Sequence, residues 1–287
     1  MERQYVDLHI HTQCSDGTDS IDEIFEKLKN NSIGIFSVTD HDTVDFYSSF
    51  DENKLAGVKL IPGVEFSCNV NGKRCHILGY GINTENKNLE KIIDKIKALR
   101  KSRLYKRLES LKDDFGIVLT DDEMAYLNSI DVVGKPHISH ILIKRGLAQT
   151  VTEAMKKYLS KPLNGNDSVD DKCVIDVIKD AGGIPVWAHP LGGEDEKHLN
   201  EDDFTKRLEV LVAHGIKGME CFYSRYSQEE IDFLLEYAEN YSLLVSGGSD
   251  YHGKLKNVEI GTLGVCEDCL KHCTEDNLSI LGEICCL

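Results

Sequence analysis

The sequence predicts an α/β fold interrupted by an all-helical segment. Three observations carry this reading. Residues 5–85 alternate short apolar runs with amphipathic stretches, residues 86–168 keep helical spacing with no strand signal, and the alternation resumes from 169. Alternating strands and helices are the mark of α/β layers. The expected division is residues 1–85 with 169–287 as one domain, and 86–168 as an inserted helical cap.

Each element has a local reason. Residues 5–12 read as a strand, and 20–31 as a helix with Ile21, Ile24, Phe25 and Leu28 on one face. Residues 33–40 and 58–70 read as strands, and Asn71-Gly72 is a hairpin signal leading into 74–82. From Leu89 onward, Ile92, Ile93, Ile96, Leu99, Leu104, Leu108 and Leu111 recur at helical intervals. Thr120 with Glu123, and Thr150 with Glu153, have the spacing of helix-capping pairs. Pro136 suits the first turn of a helix ending before Gly146. Helix 171–181 is closed by Gly182-Gly183, and helix 202–214 by Gly215. Strands are expected at 184–189, 216–222, 243–246 and 260–265, with a helix from Ser227 to 241.

Composition narrows the function. The chain has 287 residues and a formal net charge of -16, from 33 Lys+Arg against 49 Asp+Glu. That balance argues against binding long duplex nucleic acid, which requires a cationic surface. A small anionic substrate remains compatible, because bound cations can dominate the local field. No run of about 18 apolar residues suggests a membrane span. The N-terminus has no signal-like apolar region, so a cytoplasmic location is expected. Ten cysteines in such a chain are expected to be reduced thiols. Cys266, Cys269 and Cys273 form the tightest group, with Cys285 and Cys286 nearby, but a zinc site calls for a matching second pair.

Residues able to hold metal fall at the ends of the expected strands. His9, His11 and Asp16 follow the first, and Asp40-His41-Asp42 ends the second. Glu65 and His76 lie on the hairpin, His189 ends a later strand, and Asp250 and His252 follow another. Strand alternation points His9 and His11 the same way. In a (β/α) barrel, strand ends converge on one face. Six histidines and three carboxylates would then meet at one mouth. Such mixed shells suit Mn, Zn or Fe rather than Ca, and nine donors call for two or three ions.

DLHIHTQCSDG, SVTDHDT, GVEFS, WAHP and GGSDYHG occur in that order and together resemble the PHP (polymerase and histidinol phosphatase) family of the amidohydrolase superfamily. The resemblance implies a distorted seven-stranded (β/α) barrel. It implies a first metal on His9, His11, Glu65 and Asp250, and a second on Asp16, His41 and His252. A third would be shared by Glu65 with His76 and His189. The pattern is most similar to a subgroup that includes nucleoside 3′,5′-bisphosphate phosphatases and enzymes trimming short 5′-phosphorylated RNA. The implied reaction is hydrolysis of a phosphate monoester by a metal-activated hydroxide, with no side-chain nucleophile. Manganese is the expected ion, and zinc or iron the alternatives. A cyclic sugar-phosphate phosphodiesterase, a histidinol-phosphate phosphatase and a non-catalytic metal-binding regulatory module are the competing readings.

Substrate contacts are expected from the insertion. Residues 87–112 carry a local net charge of +7, and Arg103 and Arg107 lie one turn apart within them. Lys135 and His137 match family positions that contact phosphate, although the family pattern has Arg where Lys135 stands. Tyr223 after a strand end, and Ser249 before Asp250, are further candidates. Asp40 and Asp42 are expected to orient neighbours rather than to ligate. Gly247-Gly248 is expected to permit close backbone approach.

Overall fold

A computed structural model describes residues 5–55, 57–163, 168–193, 197–263 and 273–284. In chain order it contains β1 (Tyr5–Ile10), α1 (Ile21–Asn30), β2 (Ile33–Val38), α2 (Asp45–Ser49), β3 (Lys59–Leu60), β4 (Gly63–Val70) and β5 (Lys73–Tyr80). Four helices follow: α3 (Lys87–Phe115), α4 (Asp121–Asn128), α5 (Lys135–Lys144) and α6 (Val151–Tyr158). Then come β6 (Val169–Asp170), α7 (Asp171–Asp180), β7 (Ile184–Trp187), α8 (Glu201–His214), β8 (Gly218–Tyr223), α9 (Gln228–Asn240), β9 (Leu244–Gly248), β10 (Cys273–Thr274) and α10 (Ile280–Ile284). The chain divides into two compact units, Met1–Ile92 with Val169–Leu287, and Ile93–Ser168.

In the first unit the strands form two sheets, in the orders β10-β1-β2-β3 and β6-β4-β5-β7-β8-β9. β1, β2 and β3 run parallel, as do β7, β8 and β9, while β4 and β5 are an antiparallel hairpin. Two isolated parallel bridges, Ile10 with Tyr251 and His41 with Glu65, carry one sheet into the other. One partner of each bridge lies just beyond the C-terminal end of a parallel strand, Tyr251 after β9 and His41 after β2, where the metal-capable residues cluster.

Local chemistry explains the elements. All six residues of β2 are buried, as expected of a strand covered on both faces. Ser20 and Glu23 cap α1 reciprocally. Asn71 and Gly72 both have positive φ, 48° and 79°, which a tight hairpin turn between twisted strands requires. Around β1 and β2 the core is built from Ile10, Ile24, Leu28, Phe36, Val38 and Phe46.

Two expected strands are corrected. The run 58–70 breaks into β3 and β4 at Ile61-Pro62, because Pro62 has no N–H to continue a ladder. The two pieces join different sheets. Within the run expected at 260–265, the described residues Ile260–Leu263 form a turn and irregular backbone. It is β10 that pairs with β1 instead, placing buried Cys273 opposite Val6. Cys266, Cys269, Cys285 and Cys286 lie outside the described residues.

The second unit has its own apolar core, including Leu104, Leu111, Leu127, Ile138, Leu142, Ala154 and Tyr158. Thr120 accepts the Glu123 amide at the start of α4, and Thr150 accepts the Glu153 amide at the start of α6. Helix α3 begins in the first unit and runs on into the second. Among the described residues no helix is long and apolar enough to cross a membrane.

Candidate metal centre

The strands of the first unit deliver nine side chains to one place. His9 lies in β1, and His11 and Asp16 follow it. His41 follows β2, Glu65 lies in β4 and His76 in β5. His189 follows β7, while Asp250 and His252 follow β9. Donor atoms of eight of them, all but His189, fall into three overlapping groups, each with atoms within 4.8 Å of one another. These are His9, His11, Glu65 and Asp250; His11, Asp16, His41 and His252; and His41, Glu65 and His76. The first is the set implied for one metal. The second adds His11 to the set implied for another.

Glu65 is the shared member. Its Oε2 lies 3.4 Å from His9 Nε2, 3.2 Å from His11 Nε2 and 2.9 Å from His41 Nδ1. Its Oε1 lies 2.9 Å from His76 Nδ1 and 3.1 Å from His189 Nε2. The two oxygens of one buried carboxylate therefore face different histidine groups. His189 Nε2 is also 3.2 Å from His76 Nδ1, which places it at the edge of the third group.

The residues fit divalent cations. His9 Nε2, both nitrogens of His11, His41 Nδ1 and Glu65 Oε2 are buried and lack a hydrogen bond of acceptable geometry. Such atoms are unfavourable inside a protein unless an ion or another partner takes them up. The second ring nitrogens of His9, His252 and His76, by contrast, are engaged. His9 Nδ1 is 2.8 Å from Glu220 Oε1, so the carboxylate accepts the Nδ1–H hydrogen bond and Nε2 is the nitrogen that faces the cluster. His252 Nδ1 donates to the Asp250 carbonyl at 2.9 Å, which turns its Nε2 toward Asp16 Oδ1 at 3.4 Å. Arg74 Nε donates to His76 Nε2 at 3.0 Å, a tautomer that leaves the proton on Nδ1. A cation in the third group must displace that proton.

The electrostatics point the same way. Burial alone would raise Asp16, but His41 and His252 hold it well below the usual carboxylate range. Burial is likewise outweighed at Glu65 by His41, His76 and His9, and at Asp250 by Lys256, His252 and His9. Burial would depress His9, yet Glu220, Glu65 and Asp250 hold it well above the usual imidazole value. Burial also opposes protonation of His11, but Asp250 and Glu65 raise it to about 9. Burial takes His76 and His252 down to about 4. The pocket is thus a concentrated anionic field in which protons stand where cations can bind.

Backbone strain marks the same spot. Asp42, His189 and Asp250 have φ of 53°, 29° and 56°, a region that costs a non-glycine residue about 1–3 kcal/mol. Gly248 lets β9 pack on β1, since a Cβ there would lie 2.3 Å from His9 Cβ and 2.4 Å from His9 N. Asp7, fully buried, accepts the amides of His9, Ser249 and Gly261 at 3.1, 2.9 and 2.7 Å and fixes the strand ends together.

The other expected residues have varied surroundings. Tyr223 is 1% exposed and its hydroxyl donates to Asp250 Oδ2 at 2.9 Å. Ser249 is fully buried beside Asp250. Asp40 accepts from the Thr12 amide and the Ser15 hydroxyl at 2.8 and 2.5 Å, holding the loop after β1. In the second unit, His137 Nδ1 accepts the Gly134 amide at 3.0 Å, where α5 begins with Lys135. Arg103 lies in α3, and Arg107 directs one nitrogen to the Leu159 carbonyl at 2.8 Å, a structural tie not expected from its charge.

Three residues beside the centre escaped the sequence reading: Glu220, Arg74 and Lys256. Only Glu220 left a trace, as a charged residue inside the apolar strand sequence GMECFY.

Comparison with known proteins follows from this geometry. A family model for the PHP domain matches residues 7–165. The chain belongs to the PHP domain family. Among its relatives, a 5'-3' exoribonuclease of Haemophilus influenzae is 28% identical over 269 residues, covering 91% of this chain and 94% of the relative. A phosphoribosyl 1,2-cyclic phosphate 1,2-diphosphodiesterase of Eggerthella lenta is 27% identical, covering 88% and 95%. A 3',5'-nucleoside bisphosphate phosphatase of Chromobacterium violaceum is 25% identical, covering 86% and 87%. A solved Bifidobacterium adolescentis protein described as a metal-dependent phosphoesterase superimposes with a TM-score of 0.81 at 26% identity, covering 99% of this chain and 96% of that one.

Proposed function

We propose that this PHP-family metal-dependent phosphoesterase hydrolyses a phosphate monoester of a small nucleotide. The preferred substrate is the 3′-phosphate of a nucleoside 3′,5′-bisphosphate or a short 5′-phosphorylated oligonucleotide. The observation that carries the chemistry is the Glu65 carboxylate shared between histidine groups, each able to hold a cation. His9, His11, Asp16, His41, Glu65, His76, His189, Asp250 and His252 are the proposed ligands of two or three divalent ions, with Mn ahead of Zn and Fe. Ions held there supply water of lowered pKa and neutralise charge on the phosphoryl and leaving oxygens. The chain's own part is positional: Glu220 orients His9, Asp7 fixes the ends of β1 and β9, and the strained loops hold Asp250 and His189 in place. The strand sequence β1-β2-β4-β5-β7-β8-β9, linked through the two isolated bridges, supports the seven-stranded barrel reading.

Specificity is assigned to Arg103, Lys135 and His137 as phosphate contacts, with Tyr223 and Ser249 at the strand ends. The nucleotide reading is supported by the basic stretch 87–112 and by the exoribonuclease and bisphosphate phosphatase relatives. The Eggerthella relative favours a second reading, a cyclic sugar-phosphate diesterase.

One experiment separates these. The metal-stripped chain, verified by elemental analysis, is assayed before and after Mn addition. The panel is 3′-phosphoadenosine 5′-phosphate, a short 5′-phosphorylated oligoribonucleotide, a cyclic 1,2-phosphate and histidinol phosphate. Mn-restored phosphate release from either of the first two is expected. Activity surviving complete metal removal would overturn the mechanism. Turnover of the cyclic ester alone would establish the second reading, and full metal occupancy without turnover the regulatory one.

A further inference from the structure

The two oxygens of Asp250 have different surroundings. Oδ1 faces the cluster, 3.3 Å from His11 Nε2 and 3.5 Å from His9 Nε2. Oδ2 takes two donors, the Tyr223 hydroxyl at 2.9 Å and the Lys256 ammonium. Tyr223 is buried, and the Lys256 side chain is 19% exposed. Neither residue is among the proposed metal ligands. Together they hold the carboxylate plane and occupy one of its two coordinating atoms.

That arrangement has a consequence for the ion. Calcium gathers six to eight oxygens and readily takes a carboxylate through both of them, at about 2.3–2.6 Å. Manganese, zinc and iron accept mixed nitrogen and oxygen shells with fewer donors from each carboxylate. A carboxylate with one oxygen already held by an ammonium and a phenol can offer a cation only the other. We propose that Lys256 and Tyr223 are metal-specificity determinants, restricting Asp250 to one-oxygen ligation and thereby discriminating against calcium.

This rests on the reading of His9, His11, Glu65 and Asp250 as a metal site. The charge on Lys256 repels every divalent ion alike, so it alters absolute affinities without altering their ratio. Denticity alters the ratio. The two effects are therefore separable by measuring two ions of equal charge.

The test is titration of the metal-stripped full-length chain with Mn and with Ca, by calorimetry or chelator competition. Wild type, Tyr223→Phe, Lys256→Met, the double variant and Lys256→Arg are compared. Outer residues of metal sites typically alter affinity by about 10–100-fold. The calcium-to-manganese affinity ratio is expected to rise roughly tenfold in the double variant, the low end of that range. Lys256→Arg, which keeps charge and donors, is expected to retain the wild-type ratio. Equal changes for both ions, or none, overturn the proposal. Should circular dichroism show the double variant unfolded, Lys256→Met alone decides, because its part-exposed side chain can be lost without opening the core. A wild-type chain that binds neither ion would overturn the metal reading itself, and this inference with it.

Discussion

Replacing Glu220 by Gln isolates the orientation of a single metal-facing nitrogen. Glu220 is fully buried and serves two donors, His9 Nδ1 at 2.8 Å and the His189 amide at 2.7 Å. Gln preserves the volume but offers one oxygen and one NH2. Set against the His189 amide, the NH2 leaves two buried donors face to face, costing about 1–3 kcal/mol. Set against His9, it meets a ring whose neutral, cation-binding form can adapt by carrying its proton on Nε2 in place of Nδ1. That second arrangement is the less costly. It places a proton on the atom that lies 3.4 Å from Glu65 Oε2 and 3.5 Å from Asp250 Oδ1, removing the lone pair a cation needs. Cation affinity should then fall by roughly 10–100-fold, or about 1.4–2.7 kcal/mol, with the fold retained. Calorimetric Mn titration measures the loss, a thermal melt checks the fold, and imidazole nitrogen NMR reports the His9 tautomer. A folded variant with wild-type affinity and an unshifted tautomer would refute the reasoning.

Other expectations follow from the same geometry. Because His11 in the ion-free chain stays protonated to about pH 9, cation affinity should rise with pH up to about 9, as titrations at several pH values would reveal. The raised His11 pKa has the opposite sign for the stability of the ion-free chain: its contribution is complete below about pH 6.5 and is lost as pH rises through about 9, which urea melts with chelator can follow. Gly248→Ala drives a Cβ into the His9 backbone at 2.4 Å, so β9 must withdraw from β1. About 1–3 kcal/mol of stability should be lost together with metal binding, measured by urea melts and elemental analysis. Arg103→Ala and His137→Ala should raise KM for a nucleoside bisphosphate more than for an aryl phosphate. Equal effects on both substrates would remove these residues from phosphate recognition, and for His137 would leave its Gly134 contact as the main role.

Legibility in the sequence followed the range of the interaction. The helix caps at Thr120 and Thr150 are contacts across three residues, and both are present. The Asn71-Gly72 turn was equally legible, because only its two φ angles matter. The break at Pro62 was missed because β-propensity on both sides outweighed one absent N–H. The charge of Arg107 is visible in a sequence, whereas the carbonyl it meets, 52 residues later, is not.

The sequence by itself determined which residues could ligate metal and that most of them stand at or just past strand ends, since residue type and alternation are properties of short segments. The tertiary structure decided which of those atoms face one another. Glu65 became shared only when β4 and β5 met the ends of β1 and β2. Glu220 reached His9 across 211 positions, and Lys256 found Asp250 Oδ2. Donor chemistry is written residue by residue, but the direction of a lone pair depends on what lies on the far side of the ring or carboxylate, and only the packed chain supplies that partner.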